Sequence, residues 1–483
     1  MSDEILINIT PPETRVAVLE NGVLQELIIE RERKRDIVSN LYRGEVCRVM
    51  PGMQAAFVEI GLAKAGFLHA SDVLVNGEVP DDEKGIERFL SQGQQILVQI
   101  LKAPLGNKGP RLTMNISIPS RYQVFLPYAE KLALSQQLED EIERDRLLAC
   151  MEVFKTQGYS GGYIARTAAE GVDADSIRAD MLFLNKLWDV ISDQIETVKL
   201  GLIYEDLPLA LRILRDWYQS SVTKIVIDSN SNFVHMTEFA GKFMPEVVPL
   251  LELYKGERPL FDMYNIESEI KNALERKVPL KSGGHLVLDQ TEAMTTVDVN
   301  TGSYLGRGNQ QQTIFKTNME AAQTTARQLR LRNLGGIIII DFIDMQDEAH
   351  KASVLMALEK EMKKDHAKYT ISNVSELGLV EMTRKRTRES LERVMCEPCS
   401  TCSGTGMVRT PETTCYEIFR EIIRDARQYE AKELLVLASN EVVEMLLSEE
   451  STTLADLEAF VGISIRFRAE SQYTQEQYDV VLV

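Results

Sequence analysis

The sequence predicts a multidomain α/β and α+β protein with a small β-barrel near its N-terminus. Three observations carry this. The chain has 483 residues, too many for one core and enough for roughly three or four domains. Its third quarter holds two apolar strands that end in acids, with a helical stretch between them, which is the pattern of a parallel α/β core. Residues 40–118 read instead as short strands broken by Gly and Pro, which is the pattern of a barrel.

The first 35 residues alternate like paired strands, and Asn21-Gly22 sits between two apolar runs, a strong hairpin signal. The basic cluster Arg31 to Arg35 that follows reads as a solvated face or linker. Five short strands then suggest the barrel. Phe57 and Phe67 fall on successive strands, beside Lys102, Lys108 and Arg111. That grouping suits base-stacking platforms in a basic groove, with two core phenylalanines as the plain alternative.

Residues 132–160 and 173–199 are rich in Leu and Glu and predict amphipathic helices. Between them, Arg166 and Thr167 follow a strand and precede Gly171, a fitting place to bind a terminal phosphate. An ordinary surface arginine is the alternative. Residues 205–275 mix helical and strand segments, including Lys224 to Asp228.

The acid-bearing strands are Met294-Thr-Thr-Val-Asp298-Val-Asn300 and Gly335-Gly-Ile-Ile-Ile-Ile-Asp341-Phe-Ile-Asp344. Four consecutive isoleucines predict a strand buried on both faces. Helices are expected near 318–332, joining the two strands, and near 349–365. A carboxylate at the end of such a strand is costly unless a cation or hydrogen bonds compensate it. Two carboxylates can hold a hard divalent ion through oxygen, a common arrangement for cutting phosphodiesters. A single such aspartate reads as a helix or turn cap. Two on neighbouring strands, beside Asn300 and near the arginines at 327–332, favour a metal site. Pattern alone leaves Asp341 and Asp344 open as the second ligand. Farther on, Arg384, Lys385, Arg386 and Arg388 read as a solvated face or a phosphate-contacting strip.

Bulk composition narrows the classes. No stretch reaches the ~18 apolar residues of a membrane span, and the start lacks a basic region followed by a long apolar one. A cytoplasmic protein is expected. The net charge of −19 argues at first against nucleic acid, but it is unevenly spread. Residues 276–409 carry 19 Lys and Arg against 16 Asp and Glu, net +3, whereas residues 410–483 carry 6 against 15, net −9. Clustering matters more than the total for phosphate binding. The chain has no P-loop, no nucleotide-binding Gly fingerprint and no Gly-x-Ser-x-Gly elbow.

Three of the six cysteines, Cys396, Cys399 and Cys402, fall within seven residues, followed by Gly404 and Gly406. This is poor evidence for a disulfide framework and fair evidence for a metal. A structural zinc takes four ligands, and one Cys-x-x-Cys pair supplies two. The simplest closure is a symmetric dimer in which each chain gives two thiolates to a shared ion. Reduced metal-free thiols, or three cysteines plus one further ligand within one chain, are the alternatives.

Taken together, these segments resemble the ribonuclease E/G family over nearly the whole chain. The most specific stretches are Glu292 to Gly302, Arg327 to Met345 and Gly378 to Ser390, and the cysteine motif and the Arg166 segment agree. The resemblance implies a single-strand-specific endoribonuclease that prefers a 5′-monophosphate end and leaves a new 5′-phosphate. Its expected roles are 5′-end maturation of small-subunit ribosomal RNA and mRNA decay. It implies an S1-type OB-fold over 36–118, a 5′-phosphate sensor over 119–207 and a DNase I-like catalytic domain over 276–395. It also implies an RNase H-like domain built from 1–35 with 208–275, a zinc-link over 396–409 and a small C-terminal domain over 410–483. Asp298 and Asp344 match magnesium ligands, with Mn²⁺ as the alternative ion, and Asn300 matches the residue that orients the scissile phosphate or the attacking water. Phe57, Phe67, Lys102 and Lys108 match RNA contacts. Arg166 and Thr167 match the 5′ sensor, with Pro127 to Lys131 expected to complete its pocket. Cys399 and Cys402 match the shared zinc ligands of a homodimer, which pairs further into a tetramer in one version of the assembly. Three other classes rank below this. A non-catalytic RNA-binding protein would not need Asp298 and Asp344. A zinc chaperone would repeat its cysteine units. A metal-dependent DNase would gain little from an OB barrel and a 5′-end pocket.

Overall fold

The computed structural model describes every residue except 1–2, 34, 75–84, 105–107, 139, 156–160, 219–220, 303–309, 376 and 430–431. The chain divides into two compact units, residues 1–394 and 395–483.

The first unit opens with the expected hairpin. Glu13–Glu20 pairs antiparallel with Val23–Arg31, and both turn residues, Asn21 (φ +50°) and Gly22 (φ +77°), are left-handed. A two-residue turn with positive φ at both positions matches the twist of its strands. Asp3–Thr10 pairs with Glu13–Glu20 on one side and runs parallel to Val222–Ile227 on the other, with Leu251–Leu253 beyond. So strands more than 200 residues apart share one five-stranded sheet.

Leu41–Met50, Ala55–Glu59, Gly66–His69, Arg111–Thr113 and Gln95–Lys102 form the closed barrel, because the first strand also pairs with the last. A Cβ at Gly44 would lie 2.5 Å from Val58 Cγ1, so only glycine fits at this position. Next comes a four-stranded sheet in the order Leu132–Leu134, Gly162–Ala165, Gln123–Leu126, Ile118–Pro119, covered by helices Glu141–Lys155 and Ala174–Thr197. The single helix expected over 132–160 is corrected here. Leu132–Leu134 is a strand that pairs with Gly162–Ala165, since a ready sheet edge outweighs weak local helix propensity.

The fourth sheet has six strands in the order Lys277–Pro279, His285–Gln290, Met294–Asn300, Gly336–Asp341, Leu379–Arg384, Tyr369–Val374. The two acid-bearing strands are parallel neighbours, joined by helix Gln310–Leu331 as the strand–helix–strand pattern required. Asn333, at φ +48°, ends that helix in the left-handed conformation common there. Helix Glu348–Met362 follows, its first turn capped by Asp347 accepting from the Ala349 N–H at 2.8 Å.

The isoleucine run departs from expectation. Ile338 and Ile340 are buried, but Ile337 is 47% exposed and Ile339 is half-buried. Both helices join the hydrophobic cluster that contains Ile338 and Ile340, so one face of the sheet is covered. Side chains alternate between faces, so alternate isoleucines fall on the open one. The basic residues near the acids also turn inward. Arg330 pairs with Glu20 at 2.7 Å and Glu26 at 2.9 Å, tying this helix to the first sheet. Arg384 is buried and bonds Asp365 at 2.6 and 3.0 Å and the Leu334 carbonyl at 2.8 Å. Removing one partner of such a buried pair costs about 3–5 kcal/mol. Arg386 bonds the Gly335 carbonyl and Arg388 lies over Trp217. Arg384 and Arg388 therefore brace the fold, whereas Lys385 and Arg386 are exposed as a solvated face would be.

The second unit has a three-stranded sheet, Ser464–Ala469, Glu433–Ala438, Tyr478–Leu482, with helices Pro411–Gln428, Asn440–Leu447 and Ser451–Val461. The first of these helices starts on Thr410, whose hydroxyl accepts from the Thr413 N–H, with Pro411 at the first helical position, where its missing N–H costs nothing. Among the described residues no helix is long and apolar enough to cross a membrane.

Candidate active site and RNA-binding surface

Alternation on Met294–Asn300 buries Thr295, Val297 and Val299 and leaves Asp298 exposed with Asn300 half-buried. Both therefore sit on the open face. The Asn300 amide donates to Asp298 Oδ2 at 2.8 Å. Asp341 is the register partner of Asp298 on the next strand and is exposed. Its carboxyl is pushed above the usual range, first by the partial desolvation its neighbours impose even on an exposed side chain and then by the charges of Asp298 and Asp344. Three carboxylates thus share one field at the strand ends, and like charges so placed favour a cation between them.

Asp344 lies beyond the strand, in the loop between Phe342 and Asp347. Asn318, fully buried on the connecting helix, holds that loop. Its Nδ2 donates to the Ile343 carbonyl at 2.7 Å and its Oδ1 accepts from the Ile343 N–H at 3.1 Å. The amide pairs with the peptide as a neighbouring strand would, one residue before Asp344. Sequence reasoning missed Asn318, because the buried face of this helix also carries Thr317, Thr325 and Gln328 and one more polar residue there does not stand out. On the far side of Asp344, Gly378 makes a tight turn at φ +84°; a Cβ there would lie 3.5 Å from Asp344 Oδ1.

Among the described residues no group of three or more His, Cys, Asp or Glu side chains is gathered closely enough to hold a metal. Mg²⁺ does not require one, because it keeps several waters and is commonly held by one or two carboxylates. A hard oxygen donor set in which Asp341 feels the charge of two neighbouring carboxylates fits that ion.

On the barrel, Phe57 and Phe67 are directly opposed across two strands, with ring centroids 5.9 Å apart at 70°. Both are half-buried on the outer surface, while Ala56, Val58 and Leu68 fill the interior. The register continues on either side, with Arg48 opposite Phe57, Arg111 opposite Phe67 and Lys102 opposite Arg111. Arg48, Phe57, Phe67, Arg111 and Lys102 therefore form one row across the barrel. Arg48 was not legible in sequence, since only pairing brings it beside Phe57. Arg111 bonds Asp72 at 2.8 Å, whereas Lys102 and Lys108 are exposed.

Arg166 donates to the Ser120 carbonyl at 2.6 Å and to Asp216 Oδ1 at 2.8 Å. Asp216 in turn pairs with Arg215, which is buried against Asp206. Burial raises the Asp216 carboxyl, but Arg215 and Arg166 more than offset it and hold it below its usual range. The Thr167 hydroxyl lies 3.3 Å from both Ser135 Oγ and Gln137 Oε1. Pro127 to Lys131 does not join this cluster. The stretch adjoins the Gly162 end of the strand Gly162–Ala165, because Leu126 pairs with Gly162. Arg166 and Thr167 leave the opposite end, about 10–13 Å away at strand rise.

In the second unit, backbone N–H groups of Cys402 and Thr401 hold the Cys399 thiol below its usual range. The Gly406 N–H points at Cys402 Sγ at 3.4 Å. Left-handed Ser403, Gly404 and Gly406 let the chain fold back to make these contacts. Cys396 is exposed, and among the described residues it does not complete a three-ligand group with the other two.

A model of the Ribonuclease E/G family matches residues 117–387, more than half the chain, and a model of the RNase E/G thioredoxin-like domain matches 398–482. Ribonuclease G of Salmonella typhimurium is 50% identical over 491 aligned residues, covering 100% of both chains. Ribonuclease G of Haemophilus influenzae is 48% identical, covering 99% of each. Ribonuclease E of a Nostoc species is 36% identical over 82% of this chain and 58% of its own length. With a matching family model and full-length relatives at this identity, the chain belongs to the ribonuclease E/G family and is an endoribonuclease.

Proposed function

We propose that the chain is a metal-dependent, single-strand-specific endoribonuclease that favours 5′-monophosphorylated RNA. The observation that carries this is the Asp298–Asn300 pair on the open sheet face, in one electrostatic field with Asp341 and Asp344. Asp298 and Asp344 would hold one Mg²⁺, or Mn²⁺ in its place. That ion would neutralise charge on the phosphate and ease loss of a proton from the attacking water. Asn300 fixes the orientation of Asp298 with one amide hydrogen and keeps the second for the scissile phosphate or the attacking water. The row from Arg48 to Lys102, with Lys108 beside it, clamps a single strand by stacking and charge. Arg166 and Thr167 receive the 5′ end. A monophosphate accepts several charge-assisted hydrogen bonds there, and a bulkier triphosphate fits less well.

The sheet that joins residues 1–35 to 208–275 supports an RNase H-like domain, and the sheet around Asp298 a DNase I-like one. Two thiols per chain, pre-oriented by backbone N–H groups, support a zinc shared between two copies, with a tetramer as a further step. Substitution of Cys399 and Cys402 by Ser should release zinc and lower the mass seen by light scattering; unchanged zinc content and mass would rule the shared ion out. The proposed setting is the cytoplasm, in 5′-end maturation of ribosomal RNA and in mRNA decay.

The test is cleavage of one A/U-rich oligoribonucleotide carrying a 5′-monophosphate or a 5′-hydroxyl, by wild type and Asp298→Asn, with Mg²⁺ or EDTA. Metal-dependent cutting that favours the monophosphate and falls at least about a hundredfold in the mutant is expected. Cutting that ignores the 5′ end would remove the sensor. Cutting that survives EDTA would remove the metal.

A further inference from the structure

We infer that a small cavity beside Asp344 is a subsite for one nucleobase next to the cleaved bond, an inference that rests on Asp344 serving the catalytic ion. The cavity measures about 180 Å³. Sites for drug-sized ligands span roughly 300–1,000 Å³, so this one admits a flat ring and not a whole nucleotide. Asp344 forms part of its wall, so whatever fills it lies beside the phosphodiester that Asp344 serves.

The remaining lining matches a base. Leu355, Val374 and Leu377 supply apolar wall, and Leu377 is 83% exposed. A lone exposed leucine is ordinary on any protein. This one stands at the rim of a cavity shared with a carboxylate, where it can cover an apolar ring face. Two donors serve the polar edge of the ring. Ser375 Oγ accepts from the Leu379 N–H at 3.2 Å and keeps its own proton to donate. Lys351, also in the lining, pairs with Glu348 at 2.8 Å and retains further N–H groups. The occupant is a base and not a phosphate, because the wall beyond Asp344 is largely apolar and its lysine, Lys351, is already paired with Glu348. The floor is held in place by Asn318, through its two bonds to Ile343.

The test is an abasic scan. An oligoribonucleotide with a single cut site is made with an abasic residue at each flanking position in turn. Its kcat/KM is measured with Mg²⁺ for wild type, Leu377→Ala and Ser375→Ala. Leu377 is too exposed for its truncation to unfold the protein. One abasic position should lower the wild-type value about tenfold, the worth of one buried apolar group. At that position the loss should be smaller in both variants than in wild type, since each change removes one of the contacts that the missing base also removes. Equal losses in all three enzymes, or no sensitive position, would overturn the subsite. Cleavage by wild type that persists in EDTA would instead overturn the role of Asp344, and the abasic comparison would still report on the cavity.

Discussion

The end of the Asp298 strand and the Arg166 cluster would both handle phosphate, yet their electrostatics are opposite. Arg166 is already matched, by Asp216 at 2.8 Å and Ser120 at 2.6 Å, and Asp216 is backed by a buried arginine. Among the described residues Asp298 accepts from Asn300, and it lies beside Asp341, whose carboxyl feels the charges of both Asp298 and Asp344. The first site is matched in charge before a ligand arrives, so a phosphate would have to share or displace Asp216, which would make binding selective more than tight. The second sets Asp341 between two further carboxylates, a repulsion that a bound cation would relieve. On the proposed roles, a site that discriminates between 5′ ends can be internally satisfied, whereas a site that holds an ion keeps charge in reserve for it.

The comparison breaks most sharply at Asn318. Asn318→Leu keeps volume but leaves the Ile343 peptide unpaired, so the loop before Asp344 loses its clamp. Such supporting contacts are typically worth 10–100-fold in metal affinity or activity. A fall of about that size in kcat, with a raised Mg²⁺ requirement and a thermal melt showing a folded protein, is expected. Calorimetric Mn²⁺ binding gives a readout independent of turnover. Unchanged metal affinity would mean the repulsive cluster needs no such support.

A smaller effect should follow from Arg166→Gln. The preference for a 5′-monophosphate over a 5′-hydroxyl should drop about tenfold, the worth of one hydrogen bond to a charged group, while cleavage of the 5′-hydroxyl RNA stays near wild type. Retained preference would place the sensor elsewhere.

The smallest concerns Asp180, which accepts from Ser120 behind the same cluster. Burial pushes its carboxyl up to about 6, against the pull of Ser120, Arg166 and Arg121. A carboxyl raised above its unfolded value of 3.8 favours folding only while protonated. Its contribution is therefore present below the unfolded value and is lost as pH rises through about 6. Asp180→Asn should stabilise the protein by on the order of 1 kcal/mol near neutral pH and hardly at all at acid pH. Melting curves at the two pH values check this; equal shifts at both would show that charge is not the cause.

Much of the first unit was legible because its signals are local. Asn21-Gly22 can close only a tight hairpin, and two acid-ended apolar strands with one helix between them can pair only in parallel. The errors share a physical origin. The isoleucine run looked buried on both faces because hydropathy does not say how many faces are covered. Arg384 and Arg388 looked free because their partners, Asp365, Leu334 and Trp217, are distant in sequence. Leu132–Leu134 looked helical because the strand it pairs with begins 28 residues later.

What the sequence determined by itself was the set of elements, their order, and the chemistry on offer. Periodicity, turn residues and residue type are carried by neighbours along the chain. What only tertiary structure decided was which groups meet. The register places Asp341 against Asp298 and Arg48 against Phe57, Asn318 reaches the loop of Asp344, and Arg166 finds Asp216 fifty residues away. Such meetings depend on how sheets align and where helices cross, and so on the packing of the whole unit and not on any window of its sequence.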